Sequence, residues 1–201
     1  MIGIIDYNVG NIQAVSRSLE ELNLKYIIVK NEHDLRRITQ AILPGVGSFD
    51  AAIGKLLDTN FFDLFNELVI NRKITVLGIC VGLQLMLERS DEGKSLGLGW
   101  IKGNVKKIQT NKSSYKLPHM GWSRISVENN SKLLKNLSQK EFYFLHSYSA
   151  NPTNNFEATS YCRYGIEIVA SLEHDNIFGV QFHPEKSFNQ GLSVFSNFAR
   201  I

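Results

Sequence analysis

The sequence predicts an open, doubly wound α/β fold: a mostly parallel sheet flanked by helices, with antiparallel additions in its second half. Three observations carry this. Short apolar strands alternate with helical repeats over the first ninety residues. The run Ile74-Thr75-Val76-Leu77-Gly78-Ile79 is almost continuously apolar, as strands buried on both faces of a parallel sheet are. After about residue 95 the strand signals come close together, as in hairpins.

The first strand is Ile2 to Ile5, followed by a turn with Asn8 and Gly10. Ile12, Val15, Leu19 and Leu22 then recur at helical spacing. Tyr26 to Val29 is the next strand. After a polar segment, Ala41-Ile42-Leu43 stops at Pro44-Gly45-Val46-Gly47. Helices are expected over Asp50 to Leu57 and Phe61 to Val69, and another begins at Leu83 to Leu87. This βαβ series defines the architecture. The later strands are Trp100 to Ile108, Trp122 to Val127, Glu141 to Ser149, Ala158 to Tyr164, Glu167 to Leu172 and Ile177 to Phe182, and a helix with Leu192, Phe195, Phe198 and Ala199 closes the chain.

Composition narrows the class. The 201 residues suit one domain, 1–201, and 43% apolar with 20% charged residues is ordinary for a globular chain. No repeat, linker or low-complexity tract stands out. Two cysteines, Cys80 and Cys162, exclude a disulfide scaffold and fit a reducing compartment. Apolar runs are too short to span a membrane, and the opening residues reach Asp6 too early for a signal peptide, so a cytoplasmic protein is expected. The net charge is +3, and basic residues cluster only in pairs such as Arg36-Arg37 and Lys106-Lys107. That describes a solvated surface rather than a nucleic-acid stripe.

The chemistry concentrates at Gly78-Ile79-Cys80-Val81-Gly82, between a buried strand and a helix. Glycines two residues either side of a nucleophile are the spacing of a nucleophile elbow, where a tight turn needs small neighbours. The helix N-terminus would favour a thiolate and offer the Val81 N–H to an oxyanion. The plainer reading makes Cys80 a small buried hydrophobe. Cys162 has no glycine frame and reads as a packing residue.

A thiol nucleophile needs a base, and the base an orienting group. His183 leaves an apolar strand in Phe182-His183-Pro184-Glu185-Lys186. In extended backbone His183 and Glu185 share a face, and Pro184 keeps His183 out of a helix. His119 and His146 have no carboxylate nearby in sequence and suit pocket lining or structural hydrogen bonds. His33 and His174 lie in polar segments, and no pair has zinc-motif spacing. The turn Pro44-Gly45-Val46-Gly47 lacks the Lys-Ser/Thr ending of a phosphate loop. It is either an ordinary strand-to-helix turn or a second oxyanion donor facing the elbow.

Together, Gly78-Ile79-Cys80-Val81-Gly82-Leu83-Gln84, Pro44-Gly45-Val46-Gly47 and His183-Pro184-Glu185 resemble the class I (triad) glutamine amidotransferases. Asp6-Tyr7 with Gly10-Asn11, Pro118-His119-Met120-Gly121-Trp122, Tyr143 to Tyr148 and Gln181 to Ser187 narrow the resemblance to the glutaminase subunits of imidazole glycerol phosphate synthases. The resemblance covers essentially the whole chain. It implies a Cys80–His183–Glu185 triad, an oxyanion hole from Val81 and the Gly45–Val46–Gly47 turn, and glutamine contacts at Gln84, Tyr143, His146 and Ser147. It further implies a (β/α)8-barrel cyclase partner in a heterodimer, meeting Asn11, Trp122 and Lys186, with no cofactor and no metal. Activity would depend on that partner, because the oxyanion turn rearranges. The chain departs from the usual pattern at Asn8 (Gly), Val81 (Leu) and Ser123 (Asn). Because Ser123 follows Trp122, a paralogue feeding ammonia to a surface-sugar pathway is the alternative. A catalytically idle scaffolding subunit and a partner-free cysteine hydrolase are the rivals from other classes.

Overall fold

The computed structural model describes residues 1–110, 115–128 and 131–201. In chain order the first half runs β1 (Ile2–Ile5), α1 (Ile12–Glu21), β2 (Tyr26–Val29), α2 (Glu32–Leu35), β3 (Gln40–Leu43), α3 (Phe49–Leu57), α4 (Phe62–Ile70), β4 (Thr75–Ile79) and α5 (Val81–Leu85). The second half runs β5 (Arg89–Ser90), β6 (Gly103–Lys107), β7 (His119–Val127), β8 (Glu141–His146), β9 (Tyr148–Pro152), β10 (Ala158–Tyr164), β11 (Ile166–His174), β12 (Ile177–Val180) and α6 (Phe188–Phe198).

The large sheet has nine strands in the order β2-β1-β3-β4-β12-β11-β10-β7-β8. Its first five strands are parallel, and β11, β10, β7 and β8 continue it antiparallel. A small sheet, β5-β6-β9, lies apart. β1 and β12 are buried at every residue, as expected of strands covered on both faces. Helix α1 turns Val15 and Leu19 inward and is capped by Asn11, whose Oδ1 accepts the Ala14 N–H at 3.2 Å.

The order matters for function because β12 returns from the end of the chain to lie beside β4, with Val180 opposite Ile79. Cys80 and residues 181–183 therefore leave the sheet side by side at its carboxyl edge, where open α/β sheets place their sites.

Three local expectations change. The single strand expected over 141–149 is two, because the chain leaves the large sheet at Ser147 and enters the small one. The helix expected from Leu83 starts at Val81 and ends at Leu85, where Met86 and Leu87 donate back only three residues and tighten the turn. The polar segment after β2 holds α2, capped by the Asn31 side chain on the Asp34 N–H at 3.0 Å.

Gly78 in β4 packs directly against α5: a Cβ there would lie 2.7 Å from Gly82 C and Leu83 N. Backbone cannot move aside as a side chain can. Gly78→Ala is expected to lower stability by about 2 kcal/mol or more, measured by urea denaturation of the full chain. A loss within about 0.5 kcal/mol, the range of a neutral surface change, contradicts this packing.

Candidate active site

Cys80 sits between β4 and α5 with φ +53° and ψ −108°. Such a conformation in a residue with a side chain costs about 1–3 kcal/mol and persists only where its surroundings enforce it. Here the Cys80 N–H donates to Val180 O at 2.8 Å, and the Cys80 carbonyl accepts the Gln84 N–H at 3.2 Å. A Cβ on Gly82 would collide with the Leu43 carbonyl oxygen. One on Gly45 would lie 2.9 Å from Val81 Cβ, so the Pro44–Gly47 turn rests on the first turn of α5. The buried Tyr7 hydroxyl donates to Pro44 O at 2.5 Å and pins that turn. Burial raises the Tyr7 pKa, with the nearby Cys80 adding to it, which keeps the donor proton in place.

His183 and Glu185 are almost completely buried, and the ring Nδ1–H donates to Glu185 Oε1 at 2.8 Å. The route differs from the extended face read in the sequence. Pro184 opens a 3-10 turn over Pro184–Lys186, and the carboxylate folds back under the ring. The His183 N–H donates to Tyr143 O at 2.8 Å, and its carbonyl accepts from Ser187 Oγ at 2.6 Å, which fixes the backbone. Nε2 is left for the Cys80 sulfur. Burial opposes a charged imidazole, but hydrogen bonds from the ring to Cys80 and Glu185 outweigh it, and the His183 pKa is pushed up to about 10. The ring therefore holds a proton at neutral pH beside the Cys80 sulfur.

The two groups open on a cavity of about 260 Å3, near the small end of ligand sites. Val46, Gly47, Gln84, His146 and Ser147 line it, as does Lys186; Gly45 does not line it and packs against Val81 and Gly82. Tyr143 does not line it. Its ring stands outside, with Lys186 Nζ 5.5 Å from its centroid and Trp122 edge-on at 6.1 Å. Trp122 in turn stacks on the exposed Phe188 at 5.4 Å. Asn11 lies exposed as the cap of α1.

His119 and His146 are joined, His119 Nδ1 to His146 Nε2 at 3.0 Å, and His146 Nδ1 contacts Tyr148 O at 2.8 Å. Burial lowers their pKa values to about 4 and about 3, so both are neutral. Cys162 is buried, its thiol pushed up to about 12, as suits a packing residue. His174 pairs with Glu157 at 2.9 Å rather than lying free in solvent.

Sequence reasoning missed Glu92 and Gln181 as site residues. Glu92 lines the cavity, and its Oε2 accepts the Phe49 N–H at 2.7 Å. It arrives on an irregular loop whose residues carry no local pattern, so only the tertiary path reveals it.

The chain belongs to the class-I glutamine amidotransferase family, whose model, "Glutamine amidotransferase class-I", matches residues 3–201. Among curated relatives, the imidazole glycerol phosphate synthase subunits HisH of Leptospira interrogans and Leptospira borgpetersenii are 43% and 42% identical, each match covering 100% of both chains. A crystal structure of a glutamine amidotransferase shares the fold, with TM-score 0.77 at 14% identity over 99% of this chain and 97% of that one.

The folded pKa of His183 lies above its ordinary 6.5. Ring protonation thus stabilises the fold fully below about pH 6.5, and that contribution is lost as pH rises through about 10. Glu185→Gln removes one of the groups raising it. Imidazole NMR is expected to show His183 titrating at least about one unit lower in that variant. An unmoved titration contradicts the pairing.

Proposed function

We propose that the chain is the glutaminase subunit of an imidazole glycerol phosphate synthase, acting as one domain over 1–201. It would release ammonia from glutamine for a cyclase partner in histidine biosynthesis. The observation that carries this is a strained, buried Cys80 facing a His183–Glu185 pair in a cavity of amino-acid size. Full-length identity of 42–43% to two HisH subunits supports the partner and pathway.

In this reading the Cys80 sulfur attacks the side-chain carbonyl carbon of glutamine. The oxyanion that forms accepts hydrogen bonds from the Val81 N–H and the Gly45–Gly47 backbone. The C–N bond breaks as His183 passes its proton to the leaving nitrogen, giving ammonia and a thioester. His183, now neutral, takes a proton from water, whose oxygen attacks the thioester and releases glutamate and the sulfur. Glu185 fixes the ring tautomer throughout. Gln84 commits its Nε2 to Tyr148 O and Gln181 Oε1, both at 3.1 Å, leaving its Oε1 to accept from the substrate. Glu92 supplies the negative charge an α-ammonium needs.

The Trp122–Phe188 pair, with Met120 and Lys186, forms an exposed face beside the cavity that suits a barrel partner. Gly47, at φ +87° with open space around it, gives the oxyanion turn freedom to change its peptide orientation when the partner binds. The reading expects a cytoplasmic heterodimer with partner-dependent activity. Among the described residues no helix is long and apolar enough to cross a membrane.

Cys80→Ala is expected to abolish glutamate formation with the fold retained, and wild type to turn over glutamine at least about ten-fold faster with a purified cyclase, with imidazole product formed. Persisting turnover in the variant contradicts the nucleophile. Glutamate without imidazole product contradicts this acceptor and favours the surface-sugar alternative. Glu92→Gln is expected to raise KM for glutamine about ten-fold or more while kcat changes little, and an unchanged KM contradicts the ammonium contact.

A further inference from the structure

Gln181 follows β12 and is fully buried, with its own N–H donated to Ala170 O at 2.9 Å. Its side-chain Nε2 lies 3.6 Å from Cys80 Sγ, and its Oε1 takes a hydrogen from Gln84 Nε2 at 3.1 Å. The direction of these bonds is fixed from outside the pair. The Tyr148 carbonyl can only accept, so the Gln84 group 3.1 Å from it must be the NH2. That same NH2 meets Gln181, which must therefore present its oxygen to Gln84 and its NH2 to the sulfur. The next bonds out agree. Neutral His146 gives its Nδ1–H to Tyr148 O, takes the His119 Nδ1–H on Nε2, and His119 Nε2 takes the Ser123 hydroxyl at 2.8 Å.

The Leu145 carbonyl, 3.8 Å from Sγ, has the opposite preference and accepts from the thiol. A donor at 3.6 Å on one side and an acceptor at 3.8 Å on the other give the two protonation states different partners. Only the thiolate uses the amide fully, because a hydrogen bond to an ionised acceptor is the stronger kind.

We propose that Gln181 is a further catalytic residue, whose side-chain amide donates to the Cys80 sulfur and favours its thiolate. The proton that the sulfur gives up is the one that His183 holds on Nε2 in the resting pair. This assignment rests on the glutaminase reading for the reaction it serves, but the contact itself is tested without turnover.

The near-isosteric Gln181→Met keeps the volume and deletes the donor. In a Cys162→Ala background, the pH midpoint for alkylation of Cys80 by iodoacetamide is expected to rise by about one unit or more. With the cyclase present, kcat is expected to fall about ten-fold or more with KM within about two-fold. A cross-link that is only structural would lower the melting temperature and leave the alkylation midpoint and kcat unchanged, which overturns the proposal. Should the variant not fold, the wild-type chain decides: the Gln181 side-chain amide resonances are expected to move when Cys80 is alkylated, and unmoved resonances overturn the contact. Wild type that turns over no glutamine with any partner, while the alkylation midpoint still shifts in Gln181→Met, defeats the glutaminase reading alone.

Discussion

The parallel pairing of β4 with β12 is the constraint on which the site depends. It joins residues a hundred positions apart, and its last rung is the hydrogen bond from the Cys80 N–H to Val180 O. That rung ends one strand at Cys80 and the other at Gln181, so sulfur, amide and, two residues on, imidazole share one edge of the sheet. The apolar character of both strands thus positions the candidate site indirectly. Two strands buried on both faces have little freedom to slip in register, and register decides which side chains meet.

Around that rung the polar groups form one connected set. Glu185 and the sulfur raise the imidazole pKa, whereas burial lowers those of His119 and His146. Histidines in one neighbourhood are therefore held in opposite states, one charged beside the Cys80 sulfur and two neutral along the chain of hydrogen bonds leading to Ser123. The neutral pair lets each ring both give and accept a hydrogen bond, while the Tyr148 carbonyl, which can only accept, fixes the polarity of the bonds reaching Gln84 and Gln181.

Much of this was legible in the residues. The apolar run ending at Ile79, the glycines at 78 and 82, and the His183-Pro184-Glu185 triplet located the strand-to-helix corner at Cys80 and the His183–Glu185 pair. Spacing alone did not show how His183 and Glu185 meet, because a 3-10 turn and an extended strand can present the same two residues to each other. Glu92 was hidden for a different reason: an acidic residue in a polar loop looks solvated until the loop is seen folded back on α3. The cavity meets the end of β8, at Leu145 and His146, whereas Tyr143 lies farther back on the strand in the outer aromatic cluster. The resemblance grouped them, and only the tertiary path separates them.

In the proposed function Cys80 is a nucleophile held against His183 in a pocket shaped for glutamine. The most direct measurement is a crystal structure of the chain with its cyclase after reaction with a glutamine analogue carrying a diazoketone in place of the amide, a group that alkylates an activated thiolate. The account predicts a covalent bond at Cys80 Sγ, with His183 Nε2 beside the sulfur and the α-ammonium of the adduct at Glu92. Modification of Cys162 instead, or an adduct at Cys80 whose sulfur lies out of reach of the imidazole, would contradict it.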